Sequence, residues 1–232
     1  MLRRGEYHKW RLRMNILVIG ASRGIGLELV RQSRAAGHGV WATARSADGR
    51  AGLVALGANA LDVDVTDADS CAALGATLQG QTFDEAWYVS GLLAGRLAAP
   101  NTPPQDDFDA VMHTNVLGAM RLLPVMANLL VPGGKLVTLS SRMGSLGLRT
   151  NGGAWLYRAS KAAVNSVVKD KTKYSLKCFE FGCKELVPGH AIEMFMSPDQ
   201  CESFDKYNVL ASQGSLRRHR FYICLNRCLC CA

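Results

Sequence analysis

Cysteine is almost absent from the body of this chain: of 8 cysteines, only Cys71 precedes Cys178. That excludes a disulfide scaffold there and reads as a protein of a reducing compartment, so the cytoplasm is expected. No apolar run reaches the ~18 residues a membrane helix needs. The first thirteen residues, MLRRGEYHKWRLR, carry charge without the apolar run that makes a secretory signal. Glu6 and the absence of serine argue against a mitochondrial presequence. Residues 1–13 are read as a basic N-terminal extension, with Met14 as the natural start. Repeats and low-complexity segments are also lacking. With 48% hydrophobic residues, 23 Gly and only 7 Pro, the 232 residues can bury a real core.

The net charge of +8 suggests a nucleic-acid partner, but its distribution does not. Residues 1–13 hold five basic residues and one acid, so half the excess sits in that stretch. A nucleic-acid binder carries its basic stripe through the folded body.

From Met14 onward, short apolar runs alternate with helical patterns. MNILVIG (14–20) is a buried parallel strand, and GIGLELVRQSRAAG (24–37) a helix with Gly37 as its stop. GVWATAR (39–45), NALDVDV (59–65), EAWYVSG (85–91) and GKLVTLSS (134–141) are further strands. Helices are expected over 47–56, from an Asp67 cap to Leu78, over 106–130 with a kink at Pro124, and over 154–169. This order predicts an α/β, Rossmann-like, doubly wound parallel sheet in three αβα layers.

Chemistry enters at GASRGIG (20–26), placed at the first strand-to-helix turn. Gly20, Gly24 and Gly26, with Ser22, Arg23 and Ile25 between them, form a loop that lets backbone N–H groups approach a pyrophosphate at a helix N-terminus. The alternative is a tight turn that binds nothing. At the end of the second strand, Ala44 stands where an acid would bond the ribose of NAD, and Arg45 follows. Guanidiniums at Arg23 and Arg45 suit a 2′-phosphate, which favours NADP over NAD, unless both are ordinary surface charges.

Tyr157 and Lys161, four residues apart, share a helix face. A nearby ammonium favours the phenolate and moves a hydroxyl of ordinary pKa ~10 toward the working range.

Together, GASRGIG, DVT (64–66), HTNVLGAMRLL (113–123), LSSRMGS (139–145) and YRASKAAVN (157–165) resemble the short-chain dehydrogenase/reductase family over residues 14–169, most closely its C-factor-like branch. The resemblance implies an NADP-binding domain that transfers a hydride between the nicotinamide and a small-molecule carbonyl or alcohol. It implies Tyr157 as the acid/base, and Lys161 as the group that lowers its pKa and holds the nicotinamide ribose. Ser141 would bond the substrate carbonyl, with the adjacent Ser140 as fallback. Asn115 would hold a relay water, or else satisfy local backbone. Asp64 and Val65 would contact the adenine, unless Asp64 is a turn cap. Ser90 and Gly91 would pass close to the cofactor, although YVSG (88–91) stands where the family usually has Asn-Asn-Ala-Gly. A homodimer or homotetramer through the helices of 106–130 and 154–169 is also implied.

Residues 170–232 depart from this pattern. Core periodicity, family pattern and low cysteine usage are lost together, which points to a shifted reading frame or an alternative join. LVPG (186–189) lacks a buried strand before it. Cys224, Cys228, Cys230 and Cys231 do not form the paired knuckles of a zinc ribbon, so no metal site is expected. The fifth strand is then expected to be an apolar edge and the sheet incomplete there. That leaves a second reading: a nucleotide-binding protein impaired in turnover, or one with a regulatory role.

Overall fold

The structure is a computed structural model that describes residues 13–93, 102–150, 152–169 and, as backbone, 176–179. The N-terminal extension apart from Arg13, LVPG (186–189) and the terminal cysteines lie outside the described residues.

Asn15–Ile19 (β1) has four of its five residues buried, as a strand covered on both faces must. Gly24–Ala35 (α1) follows and ends where Gly37, at φ +84°, donates to the Arg34 carbonyl. Gly39–Thr43 (β2) and Asn59–Leu61 (β3) flank Ala47–Ala55 (α2), capped by Ser46. Ala68–Thr77 (α3) is capped as expected: the Asp67 carboxylate accepts from the amides of Asp69 and Ser70. Phe83–Tyr88 (β4) and Leu130–Leu139 (β5) enclose a long helical segment.

That segment departs from the expected single helix. Gln105–Met112 (α4) passes through a π-turn, His113–Leu117, into Gly118–Asn128 (α5). Helix α5 runs on through Pro124; the irregularity lies earlier, at Asn115. Trp155–Lys169 (α6) begins one residue later than expected, because Ala154 holds φ +50°. A left-handed alanine costs about 1–2 kcal/mol and fixes the entry angle of the helix.

The six strands lie in the order β3-β2-β1-β4-β5-β6, each pair parallel. The last, Leu176–Phe179 (β6), corrects the expectation that β5 has no further neighbour: Leu136 to Leu139 pair with Leu176 to Phe179. An outer parallel strand needs only a short extended segment, and the sequence reading sought it slightly downstream.

Alternation along the strands divides the core. Leu17, Ile19, Ala86, Tyr88 and Leu136 face Val116, Leu122, Met126, Val164 and Val168 of the π-turn, α5 and α6. Ile16, Val18, Val40 and Val137 face Leu29, Val30 and Leu53 of α1 and α2. This is the three-layer arrangement read from the sequence. Among the described residues, no helix is long and apolar enough to cross a membrane.

Thr138 sits fully buried in β5, with no hydrogen-bond partner for its Oγ1 among the described residues. Valine has its shape without the hydroxyl. Thr138→Val is expected to stabilise the fold by about 1 kcal/mol, seen as a higher urea midpoint; a lower midpoint would show that the hydroxyl is satisfied.

Candidate active site

The strand order reverses between β1 and β4, so their C-terminal ends border the crevice where such sheets bind ligands. The glycines of the first loop do different jobs there. Gly20 has φ +85°, and a Cβ on it would lie 2.3 Å from Ser90 Oγ; the two loops touch only because it is glycine. A Cβ on Gly26 would lie 2.3 Å from the Gly20 carbonyl, so α1 starts against the strand end. Gly24, at φ +54°, has no heavy atom of the described residues within 4 Å of its Cβ position, so its face of the loop is open. Ser22, Arg23 and Gly24 are exposed and Ile25 is half-buried. A cradle with an open face, at a helix N-terminus, fits a dinucleotide pyrophosphate.

Two further residues hold this half and were missed in the sequence. Thr43 Oγ1 accepts from the Gly20 amide at 2.9 Å, and its carbonyl accepts from Ala21 at 2.9 Å. Arg50 Nη1 donates to the carbonyls of Ala44 and Arg45 and pairs with Asp62 at 3.0 Å, fixing the end of β2. Thr43 was signalled only by one polar residue in an apolar strand; Arg50 had no sequence signal.

Arg45 is exposed at this corner. Asp64 Oδ1 accepts from the Thr66 amide at 2.9 Å and the Thr66 hydroxyl at 2.7 Å, so Asp64 caps its turn. These bonds hold its carboxyl below the ordinary value, with a smaller contribution from Arg45. Val65 is buried against Gly118, where a Cβ would lie 3.0 Å from that of Val65.

The other half gathers at the end of β5. Ser141 caps a single 3-10 turn, Arg142–Gly144, its Oγ accepting from Met143 at 3.1 Å. That turn packs on the α6 backbone: a Cβ on Gly144 would lie 2.8 Å from the Lys161 carbonyl carbon. Ser141 also lies near enough to the Tyr157 hydroxyl to favour its ionised form. Ser140, the fallback for Ser141, instead donates to Asn165.

Lys161 is 5% exposed; its Nζ donates to the Leu139 carbonyl at 3.1 Å and lies 5.8 Å from the centre of the Tyr157 ring. Gly91 lies beside Lys161, its Cβ position 3.4 Å from Nζ. Burial pushes the Tyr157 hydroxyl above its ordinary value, and Ser141 opposes that rise. The lowering expected from Lys161 is not found: burial is the larger influence, and it is Ser141 that opposes it.

Asn115, 1% exposed, sits in the π-turn. Its Oδ1 accepts from the Leu92 amide at 2.6 Å; its Nδ2 donates to the Leu92 carbonyl and to Ser160 Oγ, both at 2.9 Å. Both donors are filled, so the side chain clamps the loop after β4. A relay water would find only the second Oδ1 lone pair there. A concavity of about 320 Å³ lies elsewhere, between the 143–149 loop and the Trp155, Arg158 and Ala162 face of α6. Tyr157 and Lys161 project from a different face and do not line it.

Residues 14–174 match the family model for short chain dehydrogenase. The chain belongs to the short-chain dehydrogenase/reductase family. It is 37% identical over 162 residues to 1-hydroxy-2-glutathionyl-2-methyl-3-butene dehydrogenase of Rhodococcus sp. (strain AD45), covering 66% of this chain and 67% of that one. It is 44% identical over 65 residues to C-signal of Myxococcus xanthus, 27% of this chain and 39% of the relative, in line with the C-factor-like branch read from the motifs. Among solved structures, a carbonyl reductase from Pseudomonas aeruginosa PAO1 in complex with NADP superposes with a TM-score of 0.64 at 28% identity, covering 72% of this chain and 80% of that one. Family membership carries NAD(P)-dependent oxidoreductase chemistry in general.

The Asp64 geometry has a pH signature. A carboxylate whose folded pKa is lowered adds stability above the unfolded value of ~3.9 and loses it as pH falls through the folded value. Asp64→Asn keeps an accepting oxygen without the charge. It is expected to melt below the parent at about pH 7, with the gap closing toward about pH 2; a pH-independent gap would show that the charge contributes nothing.

Proposed function

We propose that this chain interconverts a small-molecule carbonyl compound and its alcohol with NADP(H), Tyr157 moving the proton. The observation that carries this is the convergence of the Ser141 and Tyr157 hydroxyls beside a buried Lys161, next to the loop at Gly91. Gly20, Ser22, Arg23, Gly24, Ile25 and Gly26 would hold the pyrophosphate, and Arg23 and Arg45 a 2′-phosphate. Asp64 and Val65 would border the adenine, Ser90 and Gly91 the middle of the cofactor, and Tyr157 and Lys161 the nicotinamide ribose. When bound, the nicotinamide supplies or takes up the hydride. The NADP complex of the Pseudomonas reductase supports this choice of cofactor.

Ser141 orients the carbonyl oxygen, and Tyr157 gives that oxygen its proton. A hydroxyl held above its ordinary value stays protonated at neutral pH, which suits the donor in reduction. Alcohol oxidation needs the phenolate and is therefore expected to rise with pH through the alkaline range. The Rhodococcus relative, named for a hydroxylated glutathione conjugate, supports an alcohol substrate of this kind. Homo-oligomerisation through α4, α5 and α6 belongs to the same proposal.

A second reading, nucleotide binding without turnover, is favoured by the end of the family match at residue 174 of 232.

The test is NADPH consumption by the full chain with a panel of aldehydes and ketones. Tyr157→Phe is expected to lower turnover at least about 100-fold, with NADPH binding retained. Tight binding by the parent without turnover would instead support the second reading.

A further inference from the structure

Ser160 has none of the roles given above, yet its hydroxyl lies between the two halves of the site. It is fully buried. It donates to the Tyr157 carbonyl at 2.8 Å and accepts from Asn115 Nδ2 at 2.9 Å. Asn115 in turn holds Leu92 by both its amide and its carbonyl. A continuous chain of bonds therefore runs from the loop after β4, through the π-turn, into α6. It ends on the carbonyl that helix geometry also gives to the Lys161 amide.

A serine in a helix commonly bonds a carbonyl three or four residues back, and that bond alone has only local effect. Ser160 differs in its second bond, to an amide 45 residues away on another element. Gly91 is next to Leu92, and its Cβ position lies 3.4 Å from Lys161 Nζ and 3.6 Å from Asn115 Oδ1. Displacement of Leu92 therefore moves the loop that lies beside Lys161.

We propose that Ser160 is a positioning residue: its hydroxyl couples the loop after β4 to the Tyr157–Lys161 turn of α6. The coupling is read from the structure alone; its kinetic consequence rests on the oxidoreductase reading. Without the hydroxyl, an Asn115 donor at 1% exposure has no acceptor. Leaving it unsatisfied is costly, so the amide turns toward another partner or opens the π-turn to water. Either response releases one end of the Leu92 clamp and shifts Gly91 against Lys161.

The experiment compares Ser160→Ala and Ser160→Thr with the parent, all as full chains. Alanine removes both bonds, and threonine keeps the hydroxyl. Amide hydrogen exchange is read by NMR at Leu92, with Leu17 and Ala86 in the central strands as reporters of global opening. Exchange at Leu92 is expected to accelerate about tenfold in Ser160→Ala, with the strand amides nearly unchanged, and to recover in Ser160→Thr. In turnover, kcat is expected to fall about tenfold at little-changed KM for NADPH, with the same recovery. Leu92 exchange that rises only in step with Leu17 and Ala86 would overturn the proposal. So would an unchanged kcat in a well-folded Ser160→Ala chain that turns over. A parent without turnover defeats the oxidoreductase reading alone, and the exchange arm still decides the coupling.

Discussion

A lysine with only 5% of its surface exposed needs partners for its ammonium inside the protein, and the Leu139 carbonyl at the end of β5 is one for Lys161. That bond ties α6 to the sheet where the last core residue of β5 gives way to Ser140 and Ser141. Tyr157, one turn earlier on α6, is thereby brought to Ser141. Gly144 permits the approach, because any side chain there would strike the α6 backbone. Gly91 lies against Lys161 from the β4 side, at ordinary contact distance. The catalytic half of the site thus follows from meeting one buried charge at the end of β5, where Gly144 lets the 3-10 turn pack on α6.

The nucleotide half depends on the sheet in a different way. Its loop is fixed from below by Thr43 of β2 and from the side by Ser90 after β4, while its outer face at Gly24 stays open. The two halves meet at residues 90–92, where one short stretch touches Gly20 on one side and Lys161 and Asn115 on the other. The family's usual asparagines are missing from this stretch. Its conformation is held instead by the Asn115 side chain across the cleft.

Much of this was legible in the sequence because it rests on local pattern. Apolar runs alternating with helical stripes give the β-α order, Asp67 and Gly37 mark helix ends, and GASRGIG at the first turn marks the crevice. Contacts across elements were not legible. Thr43 looks like any strand threonine until its partner Gly20, just after β1, is known. Residues 106–130 read as one helix, because a π-turn leaves no compositional mark. Ser141 was preferred over its neighbour Ser140 by resemblance alone; in the fold Ser140 turns to Asn165 and Ser141 lies near Tyr157, both on α6. The β6 strand was missed because an outer parallel strand needs no long apolar run, and Lys177 interrupts what run there is. Asp64 caps its turn, but both of its bonds to Thr66 use Oδ1 and leave Oδ2 outside them.

The most direct test is equilibrium titration of the full chain with NADPH and NADH, followed by nucleotide fluorescence. A pyrophosphate cradle flanked by Arg23 and Arg45 predicts saturable binding of NADPH at least about tenfold tighter than NADH, with the advantage shrinking as salt screens the guanidiniums. Failure of both nucleotides to bind the folded chain, or an equal affinity for the two, would contradict it.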